Sequence, residues 1–155
     1  ALSLNPSNKE ILLSRAALYL RTNNNDRALT DYNTIIEQEP NNTDALFFRA
    51  YIYTGKRMYK QARNDCETIL RQNPTDEKTL LSLALLNDKD NRPREAMEQV
   101  NLLISLHPNN ALYFSVRGNM EKQRHNYETA LKDLNKAIAI EPEIQSITSC
   151  EHPAT

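Results

Sequence analysis

The chain of 155 residues contains only two glycines, Gly55 and Gly118, and no phosphate-cradling loop can be built from them. Three histidines, His107, His125 and His152, stand without a neighbour at metal-ligand or triad spacing. They are read as surface residues. Of the two cysteines, Cys66 shares a column with apolar residues and reads as a small buried hydrophobe, whereas Cys150 lies in an irregular tail. A bridge between them needs α-carbons within about 7 Å, while each packed helix layer adds about 8–10 Å and two repeats intervene. An internal disulfide is therefore not expected, and the redox compartment stays open. Nineteen basic and 20 acidic residues leave a net charge of −1, which provides no electrostatic footprint for a polyanion. No stretch approaches the roughly 20 apolar residues of a membrane span. Neither nucleic acid nor membrane is an expected partner, no cofactor or metal is implied, and no constellation suited to catalysis occurs, so an enzyme is not expected.

What is present is periodic. Prolines fall at 6, 40, 74, 108 and 142, a constant interval of 34 residues. Four units follow, 9–42, 43–76, 77–110 and 111–144, preceded by the end of a further unit in 1–8 and followed by an irregular tail in 145–155. A fixed period of this length indicates stacked repeats, each too small to bury its own apolar face. The fourth place of the unit holds Leu12, Leu46, Leu80 and Phe114; the eighth holds Ala16, Ala50, Ala84 and Gly118; the twentieth is Ala28, Ala62, Ala96 and Ala130. The twenty-fourth place holds Tyr32, Cys66, Val100 and Leu134, and the twenty-seventh Ile35, Ile69, Leu103 and Ala137. Spacings of three and four describe one apolar face of an α-helix, twice per repeat. The small columns let the paired helices approach closely.

Breakers separate the two helices of each unit: residues 23–25, Gly55 with Lys56, residues 90–93, and His125 with Asn126. Pro93 is placed to open a helix, where its missing N–H costs nothing. The periodic prolines follow helix ends at Glu39, Asn73, His107 and Glu141 and prevent continuation.

These columns resemble the tetratricopeptide repeat family, most clearly in Arg15-Ala16-Ala17-Leu18-Tyr19, Arg49-Ala50-Tyr51-Ile52-Tyr53, Asn126-Tyr127-Glu128-Thr129-Ala130 and residues 137–142. The departures fall at the eleventh place, where Tyr19 and Tyr53 give way to Asn87 and Glu121, predicting looser helix pairing there. The resemblance implies an all-α fold, a right-handed superhelical solenoid of antiparallel helix pairs, with first helices inside a groove and second helices outside. It also implies a protein-binding role.

Two helical faces bear on that placement. The twenty-second, twenty-fifth and twenty-ninth places, from Thr30, Asn33 and Glu37 through Lys132, Asn135 and Ala139, are polar except for Ala139, as an outer wall should be. Charges such as Glu37, Arg71, Glu98 and Lys132 belong to this solvated wall. On the first helices the fifth and ninth places read Leu13 and Ala17, Phe47 and Tyr51, Leu81 and Leu85, then Ser115 and Asn119. With Phe48, Lys78 and Leu112, the residues Leu13, Ala17, Phe47, Tyr51, Leu81, Leu85 and Asn119 form the candidate peptide-binding groove, edged by Glu10, Asp44, Lys78 and Lys122. Leu13, Leu81 and Leu85 can equally serve as the spine between repeats. For Phe47, Phe48 and Tyr51 ligand contact is the stronger reading, because aromatics are favoured interface anchors. A two-carboxylate clamp for chaperone tails, found in one subset of the family, would fall on Leu13, Ala17, Phe48, Lys78 and Ser82; only Lys78 fits.

The leading expectation is thus a non-enzymatic module that holds a peptide or partner protein in a concave groove. The alternative is a structural spacer or self-association segment of a longer repeat protein, since Ile138 and Ile140 would stay partly open without a capping helix. The partner, the compartment and the oligomeric state are not legible.

Overall fold

The computed structural model describes residues 8–141. Pro6, Pro142, Cys150, His152 and the segment 145–155 lie outside the described residues, as does most of the segment 1–8. Among the described residues there are eight α-helices and no strand. The first helices are α1 (Lys9–Arg21), α3 (Thr43–Gly55), α5 (Glu77–Lys89) and α7 (Ala111–Gln123). The second helices are α2 (Asn25–Gln38), α4 (Tyr59–Gln72), α6 (Pro93–Leu106) and α8 (Tyr127–Ile140). Corresponding helices start 34 residues apart, so the sequence period is the period of the fold. None of the eight helices is long and apolar enough to cross a membrane.

Each first helix is opened by an Asn or Asp side chain. Asn8, Asn42, Asp76 and Asn110 accept hydrogen bonds from backbone N–H groups of the first turn. A cap of this kind stabilises a helix by about 1 kcal/mol. The second helices lack a side-chain cap bond. Their starts are set by the three-residue turn before them, and in α6 also by Pro93 at the first helical position. In every such turn the fifteenth residue of the repeat is left-handed: Asn23, Arg57, Asn91 and His125 have φ between 60° and 66°. No glycine occupies this position. Gly55, expected in the turn, instead ends α3 with no positive φ. The reversal of the chain falls two residues later, on Arg57.

The chain divides into two compact units between Asp90 and Asn91. In the first unit α1 pairs with α2 and α3 with α4, while α2 packs on α3 and α4 on α5. Leu12, Ala16, Ala28, Tyr32 and Ile35 join Ala45 and Ile52 of α3 in one buried cluster. Ala50, Ala62 and Cys66 join Leu83 and Leu86 of α5 in another. In the second unit α6 packs on α7 and α7 on α8. There the smallest column explains itself: a Cβ added to Gly118 would lie 2.9 Å from Leu134 Cγ and 3.1 Å from the Ala130 carbonyl oxygen. Only glycine permits this helix approach.

The eleventh place of the third repeat is polar and buried. Asn87 is buried, and its Oδ1 accepts from Arg63 Nε at 2.9 Å, while Arg63 also donates to Asp90 at 2.5 Å. The buried polar residue is matched by a guanidinium of the preceding repeat.

Candidate interaction surface

Three of the four repeats are clasped by a pair of side chains sixteen residues apart, one on each helix. Arg49 Nε and NH2 donate to the two carboxylate oxygens of Asp65 at 2.8 and 2.7 Å. Arg15 does the same to Asp31 at 2.8 and 2.6 Å, and Arg117 to Asp133 at 2.9 and 2.8 Å. All three carboxylates are buried. The hydrogen bond to the aspartate is the main cause holding each guanidinium above its ordinary pKa, with the aspartate's charge adding to it. Two of the arginines also reach back to the preceding repeat: Arg49 to Asn33 at 2.9 Å and Arg117 to Asn101 at 2.8 Å. The third repeat has Leu83 and Gln99 in these columns, which cannot form the pair, and the boundary between the two units falls within that repeat.

These columns carried a signal in the sequence. Arginine at the seventh place and aspartate at the twenty-third are absent together from the third repeat and present together elsewhere. A reading that follows apolar periodicity passes over them.

With α3 fixed to α4 in this way, its fifth and ninth residues face away from the seam. Tyr51 is 67% exposed and Phe47 half-buried. Phe48 stacks on buried Tyr32, ring centroids 5.7 Å apart, and meets Phe47 edge-on at 5.5 Å. Phe48 is therefore anchored to the core and supports Phe47 from behind. Lys78 Nζ lies 5.0 Å from the Phe47 ring centre, a cation–π contact between the starts of α5 and α3. Phe47, Lys78 and Asp44 line a cleft of about 190 Å³, completed by Thr43, Ile69, Asn73, Asp76 and Thr79. The first unit thus brings Phe47 and Lys78 to one cleft, with Phe48 behind it and Tyr51 one turn along α3.

The other residues singled out above are placed as follows. In the first unit Leu13 and Leu81 are half-buried, with Leu13 packed against the core, whereas Ala17 and Leu85 are exposed. In the second unit Leu112 and Asn119 are exposed. The outward face of the second helices is exposed in all four repeats, apart from half-buried Asn33.

Groups with chemical potential are quiet. Burial, with smaller contributions from Asp65 and Glu67, pushes the Cys66 thiol up to about 12, so the nucleophilic thiolate is scarce at neutral pH. His125 Nδ1 lies 2.8 Å from the Tyr127 hydroxyl, and the His107 ring packs against Tyr113. Among the described residues no group of histidine, cysteine, aspartate and glutamate could hold a metal ion.

A model of the tetratricopeptide repeat matches residues 10–42. A solved tetratricopeptide repeat protein from Parabacteroides merdae superimposes with a TM-score of 0.65 at 25% identity, over 90% of this chain and 68% of its own. A solved structure of MamA gives a TM-score of 0.82 at 17% identity, covering 94% of this chain and 85% of that one. A MamA fragment from Desulfovibrio magneticus gives 0.81 at 20% identity, over 88% and 77%. At these identities the MamA likenesses are likenesses of fold. No curated protein matches the chain in sequence. The repeat match over residues 10–42, the helix pairs and the 34-residue register together support a tetratricopeptide repeat assignment.

Proposed function

We propose that the chain is a non-enzymatic protein-interaction module that takes a peptide segment of a partner against the first-helix face of its first unit. The observation that carries this reading is the aromatic pair on α3: Tyr51 stands largely in solvent, and Phe47 lines a cleft between Asp44 and Lys78. Exposed aromatics beside charges of both signs suit an extended ligand with an apolar anchor and a polar flank. Leu13, Ala17, Leu81 and Leu85 extend the apolar character of this face, while Phe48 acts as its support. Leu112 and Asn119 provide the corresponding face of the second unit. The test is selection of a displayed random-peptide library on the chain and on a Phe47→Ala, Tyr51→Ala double variant whose helicity is unchanged. Enrichment of peptides with an apolar anchor on the parent and not on the variant supports the reading. Equal enrichment on both removes it.

A second reading, a segment that joins copies of itself through the array ends, is favoured by one observation. Large apolar side chains stand exposed on the first and last of the described helices, Ile11 and Leu18 on α1 and Leu131 and Ile138 on α8.

A further inference from the structure

The charge of a ligand's polar flank is set by the cleft beside Phe47. Three charged residues line it, Asp44 near the start of α3 and Asp76 and Lys78 at the start of α5. Their commitments differ. Asp76 is half-buried, and its Oδ2 accepts from the backbone N–H and the hydroxyl of Thr79, capping α5. Asn42 caps α3 through the Ala45 N–H at 2.9 Å, so Asp44 is not needed for that task. Asp44 is exposed, and its carboxylate has no hydrogen bond or ion pair among the described residues. Lys78 is paired with neither aspartate; its Nζ lies 5.0 Å from the Phe47 ring centre. The ring thus already draws a cation, one carried on an exposed and flexible side chain of the chain itself.

Two helix starts meeting at a cleft would ordinarily favour an anion. Here the first-turn N–H groups of Ala45 and Thr79 are already taken by Asn42 and Asp76, and an incoming carboxylate would face Asp44 and Asp76 together. An incoming guanidinium finds the free Asp44 carboxylate and, three residues on along the same helix face, the Phe47 ring. Only α3 offers this combination: the same two places hold Glu10 and Leu13 in α1, Lys78 and Leu81 in α5, and Leu112 and Ser115 in α7. Tyr51 follows Phe47 by one further turn, a rise of about 6 Å, and an extended peptide advances about 6–7 Å over two residues.

We propose that the occupant of this cleft is an arginine side chain of the partner peptide, with an apolar residue two positions away resting on Tyr51. The guanidinium stacks on Phe47 and donates to Asp44, taking the place over the ring that Lys78 holds in the free chain. Lys78 is then a competitor that swings aside rather than a ligand contact. The proposal rests on the peptide-face reading and gives that ligand its chemistry: a basic residue and an apolar one at a spacing of two.

Three displayed peptide libraries test it, each with leucine fixed and a second fixed residue two positions away: arginine in one, glutamate in another, glutamine in the third. On the parent the arginine library is expected to enrich at least about threefold over the glutamine library and the glutamate library to fall below both. That lead should vanish in about 1 M salt, where charges are screened beyond about 3 Å. Asp44→Asn, a change at an exposed position, should abolish the arginine lead, whereas Lys78→Ala should widen it about two- to fivefold by removing the competing ammonium. A glutamate lead on the parent, an arginine lead that survives Asp44→Asn, or a lead that Lys78→Ala diminishes overturns the proposal. Equal enrichment of the three libraries that is lost in Tyr51→Ala overturns the arginine and leaves the peptide-face reading standing. Enrichment of none, or enrichment that Tyr51→Ala leaves untouched in all three, overturns both.

Discussion

The second and third repeats have helices of the same length in the same register, opened by Asn42 in one and Asp76 in the other. They differ in what ties their two helices together. The second is clasped by the bidentate Arg49–Asp65 pair, whereas the third has Leu83 and Gln99 at those places and contains the boundary between the compact units. Backbone periodicity therefore does not require the clasp; turns, caps and small columns suffice to set helix length and spacing. The clasp adds a lock to a given pair. It occurs in the repeat whose first helix carries the exposed Tyr51 and the cleft-lining Phe47, where a fixed aromatic loses less entropy on binding.

The sharpest way to break this comparison is to remove one partner of the lock. Asp65→Ala leaves Arg49 without its counter-ion and should destabilise the chain by about 3 kcal/mol, while Gln99→Ala at the same place of the third repeat should cost about 1 kcal/mol or less. Denaturant unfolding of the two variants measures the difference. Asp31→Ala should cost less than Asp65→Ala, because Arg15 is the more exposed arginine and can regain water.

The two glycines give the next contrast, and helix propensity alone would treat them alike. Gly118→Ala should destabilise by about 1–3 kcal/mol, since its Cβ collides with Leu134 and the Ala130 carbonyl. Gly55→Ala meets nothing within 4 Å at a helix end with no positive φ, so it should stabilise by about 0.5–1 kcal/mol. Thermal unfolding checks both signs.

The left-handed turn residues separate the second and third repeats again, at smaller scale. Arg57→Gly relieves a Cβ at φ 64° and should stabilise by about 0.5–1 kcal/mol. Asn91→Gly should gain less, because asparagine already tolerates that conformation.

The twenty-fourth place supplies an effect that vanishes at neutral pH. The thiol of Cys66 ionises at about 12 when folded and near 9.0 when unfolded, so between those values the folded state holds the extra proton and stability falls as pH rises. Cys66→Val, which copies Val100 of the third repeat, should match the parent at pH 7 and lose less stability above about pH 9. Melting temperature against pH measures this.

Much of the fold was legible because it repeats. Four copies of the seam, with Leu12, Ala16, Ala28 and Ile35 and their counterparts, allow local spacing to be checked against a column, and the helix ends at Glu39, Asn73, His107 and Glu141 follow from the prolines. The clasp was not read, although its columns were visible, because Arg49 and Asp65 sit on different helices and local periodicity cannot pair them. The left-handed residues escaped for another reason: asparagine, arginine and histidine at one place share no turn chemistry, and Gly55 drew the turn two residues too early. Of the candidate surface, the sequence named Phe47, Tyr51 and Lys78. It could not show that Phe48 turns inward onto Tyr32, because adjacent aromatics on one helix give no sign of which of them the neighbouring helix covers.

The most direct test of the account is the affinity of a library-selected peptide for three forms of the chain, by titration calorimetry. Tyr51→Ala, on the first-helix face of the second repeat, should weaken binding at least about tenfold, and Glu67→Ala, on the exposed second-helix face of the same repeat, should leave it within about twofold. Equal losses from the two substitutions, or a loss from Glu67→Ala alone, would contradict the placement of recognition on the first helices.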